Sequence, residues 1–124
     1  MGSSLYPSVV RVLATDEYAA WFAGLDDRDA RAVAVAVLKL EALGLALPYP
    51  HSSNVEGARY GIRELRPKSG ASPLRVFYAF DPRRDTVLLI GGDKAQDKRL
   101  YDRVLAVAEA IFERHLAELD EGEG

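Results

Sequence analysis

The sequence predicts an α+β domain, a small twisted, mainly antiparallel sheet of about four strands with three helices packed against it, in the order β-α-α-β-β-β-α. Three observations carry that prediction. Two runs with apolar residues at helical spacing follow each other after residue 15, and a third closes the chain. Three short β-branched and aromatic runs stand in succession between residues 62 and 91, separated by turn chemistry. The 124 residues are 48% hydrophobic, enough for one ordinary core, so residues 1–124 are expected to form a single domain. Residues 1–7 and 120–124 (the latter within "LDEGEG") are expected to be loose ends.

The elements follow in order. "SVVRVLA" (8–14) is short and β-branched, a strand. Thr15 then offers an N-cap, Asp16 and Glu17 suit a first helical turn, and Gly24 suits a stop. The apolar side of that short helix is Tyr18, Trp21, Phe22 and Leu25. Asp26 or Asp27 caps a second helix through about Leu43, ended by Gly44, with Ala30, Val33, Ala34, Val37, Leu38 and Leu45 as its apolar stripe. Residues 44–61 carry prolines, glycines and turn formers and read as a loop with brief extended pieces. Strands are expected at 62–66, 74–80 and 86–91, joined by "PKSGASP" and "DPRRD". A last helix is expected from Asp97 to about Leu119, burying Leu100, Val104, Val107, Ala108, Ile111 and Leu116.

Composition narrows the chemistry. Without cysteine there are no disulfides, thiolate metal sites or cysteine nucleophiles. The start lacks the basic and apolar regions of a signal peptide, and "AVAVAV" extended to Leu38 is too short to span a bilayer. A cytoplasmic protein without a membrane partner is therefore expected. His51 and His115 lie far apart in different elements and do not make a metal pair; both are expected at the surface. Net charge is −3, yet residues 59–103 hold 11 of the 16 Lys and Arg and only 6 of the 19 Asp and Glu. A basic middle framed by acidic helices can build one positive face on an acidic protein.

Two arginines in that middle need explaining. "IRELRPKSGASPLRVFYAF" (62–80) places Arg66 and Arg75 on neighbouring strands of the core sheet, where a guanidinium is costly to bury unpaired. In "LRVFYAF", Leu74, Val76, Tyr78 and Phe80 share one face, and Arg75 and Phe77 the other. Matching Leu65 to the apolar face puts Glu64 and Arg66 on the side of Arg75. The two guanidiniums then converge on one concave surface.

The series "IRELRPKSG", "PLRVFYAFDPRRD", "TVLLIGGDKAQ" and "LYDRVLAVAEAIFERHLAEL" resembles the HigB branch of the RelE/ParE toxin superfamily, also described as phage-derived Gp49-like proteins. The resemblance covers nearly the whole chain and implies a RelE/ParE-like fold. It implies a type II toxin that cleaves messenger RNA on the ribosome without metal or other cofactor, by 2′-hydroxyl attack giving a 2′,3′-cyclic phosphate. It also implies neutralisation by a helix-turn-helix, HigA-like antitoxin. By position in the family pattern, Arg75 and Arg66 are the phosphate-binding arginines. Lys94 is a stabiliser or acid, Tyr101 serves stacking or proton transfer, and Glu64 is a base or an orienting partner of the arginines. Lys68, with Arg63, Lys98 and Arg99, would touch the RNA backbone. Better-known relatives are strongly basic and carry two lysines where this chain has Glu64 and Arg66. A ParE-like gyrase poison and a non-toxic co-repressor scaffold are the alternatives.

Overall fold

The structure, a computed structural model, describes residues 11–70 and 73–123. Within them the chain runs β1 (Val12–Ala14), α1 (Asp16–Ala23), α2 (Asp27–Leu43), β2 (Ser52–Asn54), β3 (Arg63–Leu65), β4 (Leu74–Phe80), β5 (Thr86–Asp93) and α3 (Leu100–Glu123). The strands form one sheet in the order β1-β5-β4-β3-β2, with β1 parallel to β5 and the other pairs antiparallel. The α+β class stands, with one strand more than expected. That strand, β2, falls in the stretch read as a loop. Ser52, Ser53 and Asn54 have no apolar alternation to betray a strand and pair because β3 offers them an edge. Residues 8–10 of the expected first strand lie outside the described residues.

The first two helices begin and end where their caps direct. Thr15 Oγ1 accepts the Tyr18 N–H at 3.2 Å, and Asp26 Oδ1 accepts that of Asp29 at 2.8 Å. Gly44 ends α2 at φ 53°, a conformation that favours glycine. The closing helix starts at Leu100 rather than near Asp97 and continues to Glu123.

Both faces of the sheet are covered. One carries Leu65, Leu74, Val76, Tyr78 and Leu88 against Tyr18 of α1 and Val33, Ala36 and Leu40 of α2. The other carries Phe77, Ala79, Val87 and Leu89 against Leu100, Ala108, Ile111 and Phe112 of α3. The expected split of β4 into alternate faces is thus the one observed. Two stripes need correction. In α2 the buried face is Val33, Ala36 and Leu40, whereas Leu38, and Leu45 beyond the helix end, are 62% and 82% exposed. Residues 32–38 of this helix are all apolar, so its middle offers several stripes of similar quality, and contact with the sheet selects one. In α3, Phe112 takes the place expected of Val107, which is exposed. His115 is likewise not a surface residue: its Nε2 lies 2.8 Å from Oδ2 of the buried Asp81, and its ring stacks on Phe112.

The glycine pair near the end of β5 lets helices close in from both sides. A Cβ on Gly91 would lie 2.5 Å from carbons of the Trp21 ring, and one on Gly92 2.4 Å from Leu100 Cδ1. Gly91→Ala is therefore expected to lower stability by about 1–3 kcal/mol through overpacking. A urea midpoint equal to wild type would show that Trp21 does not seat there.

Arg114 of α3 grips Glu17 of α1, with Nη2 2.8 Å from Oε1. This hydrogen-bonded guanidinium holds the Glu17 carboxyl down to about 2 from its ordinary 4.5. A carboxylate with a depressed folded-state pKa stabilises above its unfolded value and loses that contribution as pH falls through the folded one. Part of the protein's stability is therefore expected to disappear between about pH 4.5 and pH 2, and Glu17→Gln to remove that part. Superimposable acid titrations of the two proteins would discount the pair.

Candidate functional site

The β3–β4 pairing sets Glu64 opposite Phe77 and Leu65 opposite Val76. Continued by one residue, this register brings Arg66 beside Arg75, and Glu64, Arg66 and Arg75 share the α3 side of the sheet. Arg66 is held in place just beyond β3 by its backbone N–H, which donates to His51 O at 2.9 Å.

Glu64 is the hub. Its Oε1 accepts from Arg66 Nε at 3.2 Å, from Arg66 Nη2 at 2.8 Å and from Ser53 Oγ at 3.1 Å. Its Oε2 accepts from the Tyr101 hydroxyl and lies 3.8 Å from Arg75 Nε. Arg75 in turn donates through Nη1 to Leu74 O at 2.8 Å, while its buried Nε has no hydrogen-bond partner. Tyr101 comes from the first turn of α3 and sits edge-on to Phe77, with ring centroids 5.9 Å apart. Lys94 Nζ, just past β5, lies 5.6 Å from the centre of the Tyr101 ring. The five residues singled out from the sequence as catalytic candidates thus stand together.

The expected open hollow is narrower than the sequence suggested. Side-chain exposure is 5% for Glu64, 14% for Arg75 and 30% for Arg66, because α3 brings Tyr101 over the carboxylate. Packing against α3 was not readable from β3 and β4 themselves. The guanidiniums meet around a carboxylate where a phosphate was anticipated.

Electrostatics separates the roles. Burial pushes the Glu64 carboxyl up, but hydrogen bonds from Tyr101, Arg66 and Ser53 outweigh it and leave it below the ordinary carboxylate range. Such a group stays ionised and is a weak base at neutral pH. Tyr101 moves the other way: burial raises it first, Glu64 adds to this, and Arg75 opposes. Its hydroxyl keeps the proton. The Glu64 contact raises Arg66 against the smaller opposing effect of burial.

The other candidates disperse. Arg63 projects from the opposite face of β3 and is committed to Asn54 Oδ1 at 2.6 Å, Ser52 Oγ at 3.1 Å and the Tyr78 hydroxyl at 3.3 Å. Lys68 is exposed beyond Arg66, beside α2. Lys98 and Arg99 are exposed on the turn before α3, where Arg99 lies 3.9 Å from Asp102. Ser53 is not singled out by the sequence because the stretch that holds it has no apolar alternation; only pairing with β3 aims its hydroxyl at Glu64. Among the described residues no group of three His, Cys, Asp or Glu side chains is disposed to hold a metal. None of their helices is long and apolar enough to cross a membrane.

A family profile described as phage-derived protein Gp49-like matches residues 20–113, which contain the whole Glu64 cluster. A Mycobacterium tuberculosis protein named "Putative toxin HigB2" is 37% identical over 109 residues, covering 86% of this chain and 54% of its own length. A second from the same organism, "Putative toxin HigB3", is 40% identical over 101 residues, covering 78% of this chain and 85% of its own. The chain spans about half the length of the first relative and most of the second.

Proposed function

The chain belongs to the phage-derived Gp49-like family, and from that premise we propose that it is a HigB-like toxin of a type II toxin–antitoxin pair, acting as a metal-independent endoribonuclease on ribosome-bound messenger RNA. The names of both relatives support the toxin reading. The observation that carries the nuclease reading is Arg75: a mostly buried guanidinium with one N–H unpartnered, beside a second arginine and a protonated phenol.

In this reading the scissile phosphodiester enters beside Arg75 and Arg66, whose planar forks match phosphate oxygens. The 2′-hydroxyl loses its proton to water and its oxygen bonds to phosphorus. The bond from phosphorus to the 5′-oxygen breaks, leaving a 2′,3′-cyclic phosphate. Negative charge gathering on the phosphorane faces the two guanidiniums. Tyr101 supplies the proton to the departing 5′-oxygen, a far stronger base than a phenolate. Lys94 keeps the surroundings of that phenol positive. Glu64 orients the arginines and takes no proton. The partners are messenger RNA and the ribosome as target, and a helix-turn-helix antitoxin as the neutralising protein.

Induced expression of the wild-type chain, with mapping of transcript 5′ ends, tests the proposal. Growth arrest with new 5′-hydroxyl ends inside messages is the expected result. Arrest with a DNA-damage response and intact messages would favour the gyrase-poison alternative. Harmless expression without cut messages would favour the co-repressor scaffold.

A further inference from the structure

On the far side of the sheet from Tyr101, a groove of about 500 Å³ runs between α2 and the chain around β3. Its floor is apolar: Ala32, Val35 and Ala36 of α2 face Leu47 and Leu65 across it. Its rim is cationic. Arg28, Arg31 and Lys39 stand along α2, and Lys68 lines the groove with them, against one acid, Asp27; Arg66 also lines it, but its guanidinium is held by Glu64. Arg28, Arg31, Lys39 and Lys68 have no ion-pair partner among the described residues. So many unpaired cations around one groove are unexpected on a chain of net charge −3. Val35, in the floor, is 47% exposed, and the apolar surface continues outward to Leu38.

We propose that this groove docks an acidic amphipathic segment of another protein, its apolar side chains on the α2 floor and its carboxylates against the arginine and lysine rim. Charge complementarity sets the sign of the occupant, and the floor sets its class. Single-stranded nucleic acid is held by several rings that stack on successive bases, and among the described residues the groove is lined by one ring, His51, and by no Phe, Tyr or Trp. An apolar trough between two cationic banks instead matches a helix with apolar residues on one face and acids on its flanks. The cations from Arg28 to Lys39 span on the order of 16 Å of helix, about three turns of such a partner. Arg66 belongs both to the groove and to the Glu64 cluster, so the two sites adjoin.

Fluorescence anisotropy with three labelled probes tests this on the full chain. They are a 14-residue peptide with Leu at helical a and d spacing and Glu elsewhere, the same peptide with Ser for Leu, and a 12-nucleotide oligouridylate. The Leu/Glu peptide is expected to bind wild type, and about tenfold more weakly after Arg31→Glu with Lys39→Glu, and again after Val35→Ser. The Ser peptide is expected to bind at least tenfold more weakly than its Leu counterpart. All three substituted residues face solvent, and retained unfolding midpoints verify the fold; Arg31→Ala with Lys39→Ala replaces the reversal variant if its midpoint falls. Equal peptide affinity on wild type and both variants overturns the proposal. So does oligouridylate binding that drops with the rim cations while the peptide stays unbound, which makes the groove an RNA path. Messenger cleavage is read in parallel: peptide docking without cleavage leaves the groove standing and removes only the nuclease reading.

Discussion

Arg75→Ala is expected to lower messenger cleavage about a hundred- to a thousandfold and to relieve growth arrest, the usual effect of removing one preorganised charge from a transition state. The guanidinium sits at the second residue of β4, where the sheet fixes its backbone and a 2.8 Å bond to Leu74 O fixes its head. In the proposed reaction it would therefore meet a phosphate without reorganising. The fold should survive. Leu74 and Val76 on either side remain packed on the α1–α2 face, and Glu64 keeps Arg66, Ser53 and Tyr101. A stability loss of about 1–2 kcal/mol is expected from the lost hydrogen bond and buried stem. Arg75→Lys retains charge without the fork and should recover only part of the activity. Growth arrest by the alanine variant at wild-type strength, with the protein folded, would remove Arg75 from the mechanism.

Glu64→Ala is expected to be the most destabilising change in the cluster, by about 2–4 kcal/mol, because it leaves Arg66, a phenol and a serine without their common acceptor and Arg75 without its counter-charge. The lower part of that range is the better guide, since Arg66 is 30% exposed and water can take over its bonds. Glu64→Gln keeps the size and one carbonyl acceptor, and separates charge from shape. The wild-type carboxyl lies below its ordinary 4.5, so its ionic contribution is complete above that pH and fades as the pH falls further. The stability advantage over Glu64→Gln should follow that course. At neutral pH the glutamine variant should keep cleavage within about tenfold of wild type, as a positioning role requires and a base would not allow. A loss as deep as that of Arg75→Ala would make Glu64 the base.

The candidate cluster was largely legible for a simple reason. Alternation in "LRVFYAF" assigns Arg75 to the face of Phe77, and Leu65 fixes the face of its neighbours, so two short strands place three charged groups. Lys94 and Tyr101 came from the family resemblance alone; each is one polar residue beside a turn, with no periodicity of its own. Ser53 had neither signal.

Element types and ends were written locally. Thr15, Asp26 and Gly44 start or stop helices through bonds that span three or four residues, which any reader of the chain can count. Long-range contact decided the rest. It added β2 to the sheet edge, and it turned α2 so that Leu40 went in and Leu38 stayed out. It also laid α3 across the second face, so that Tyr101 closes over Glu64. None of these follows from neighbours in sequence: burial energy depends on which surfaces meet, and helices with several equivalent apolar faces leave that choice to the sheet they pack upon.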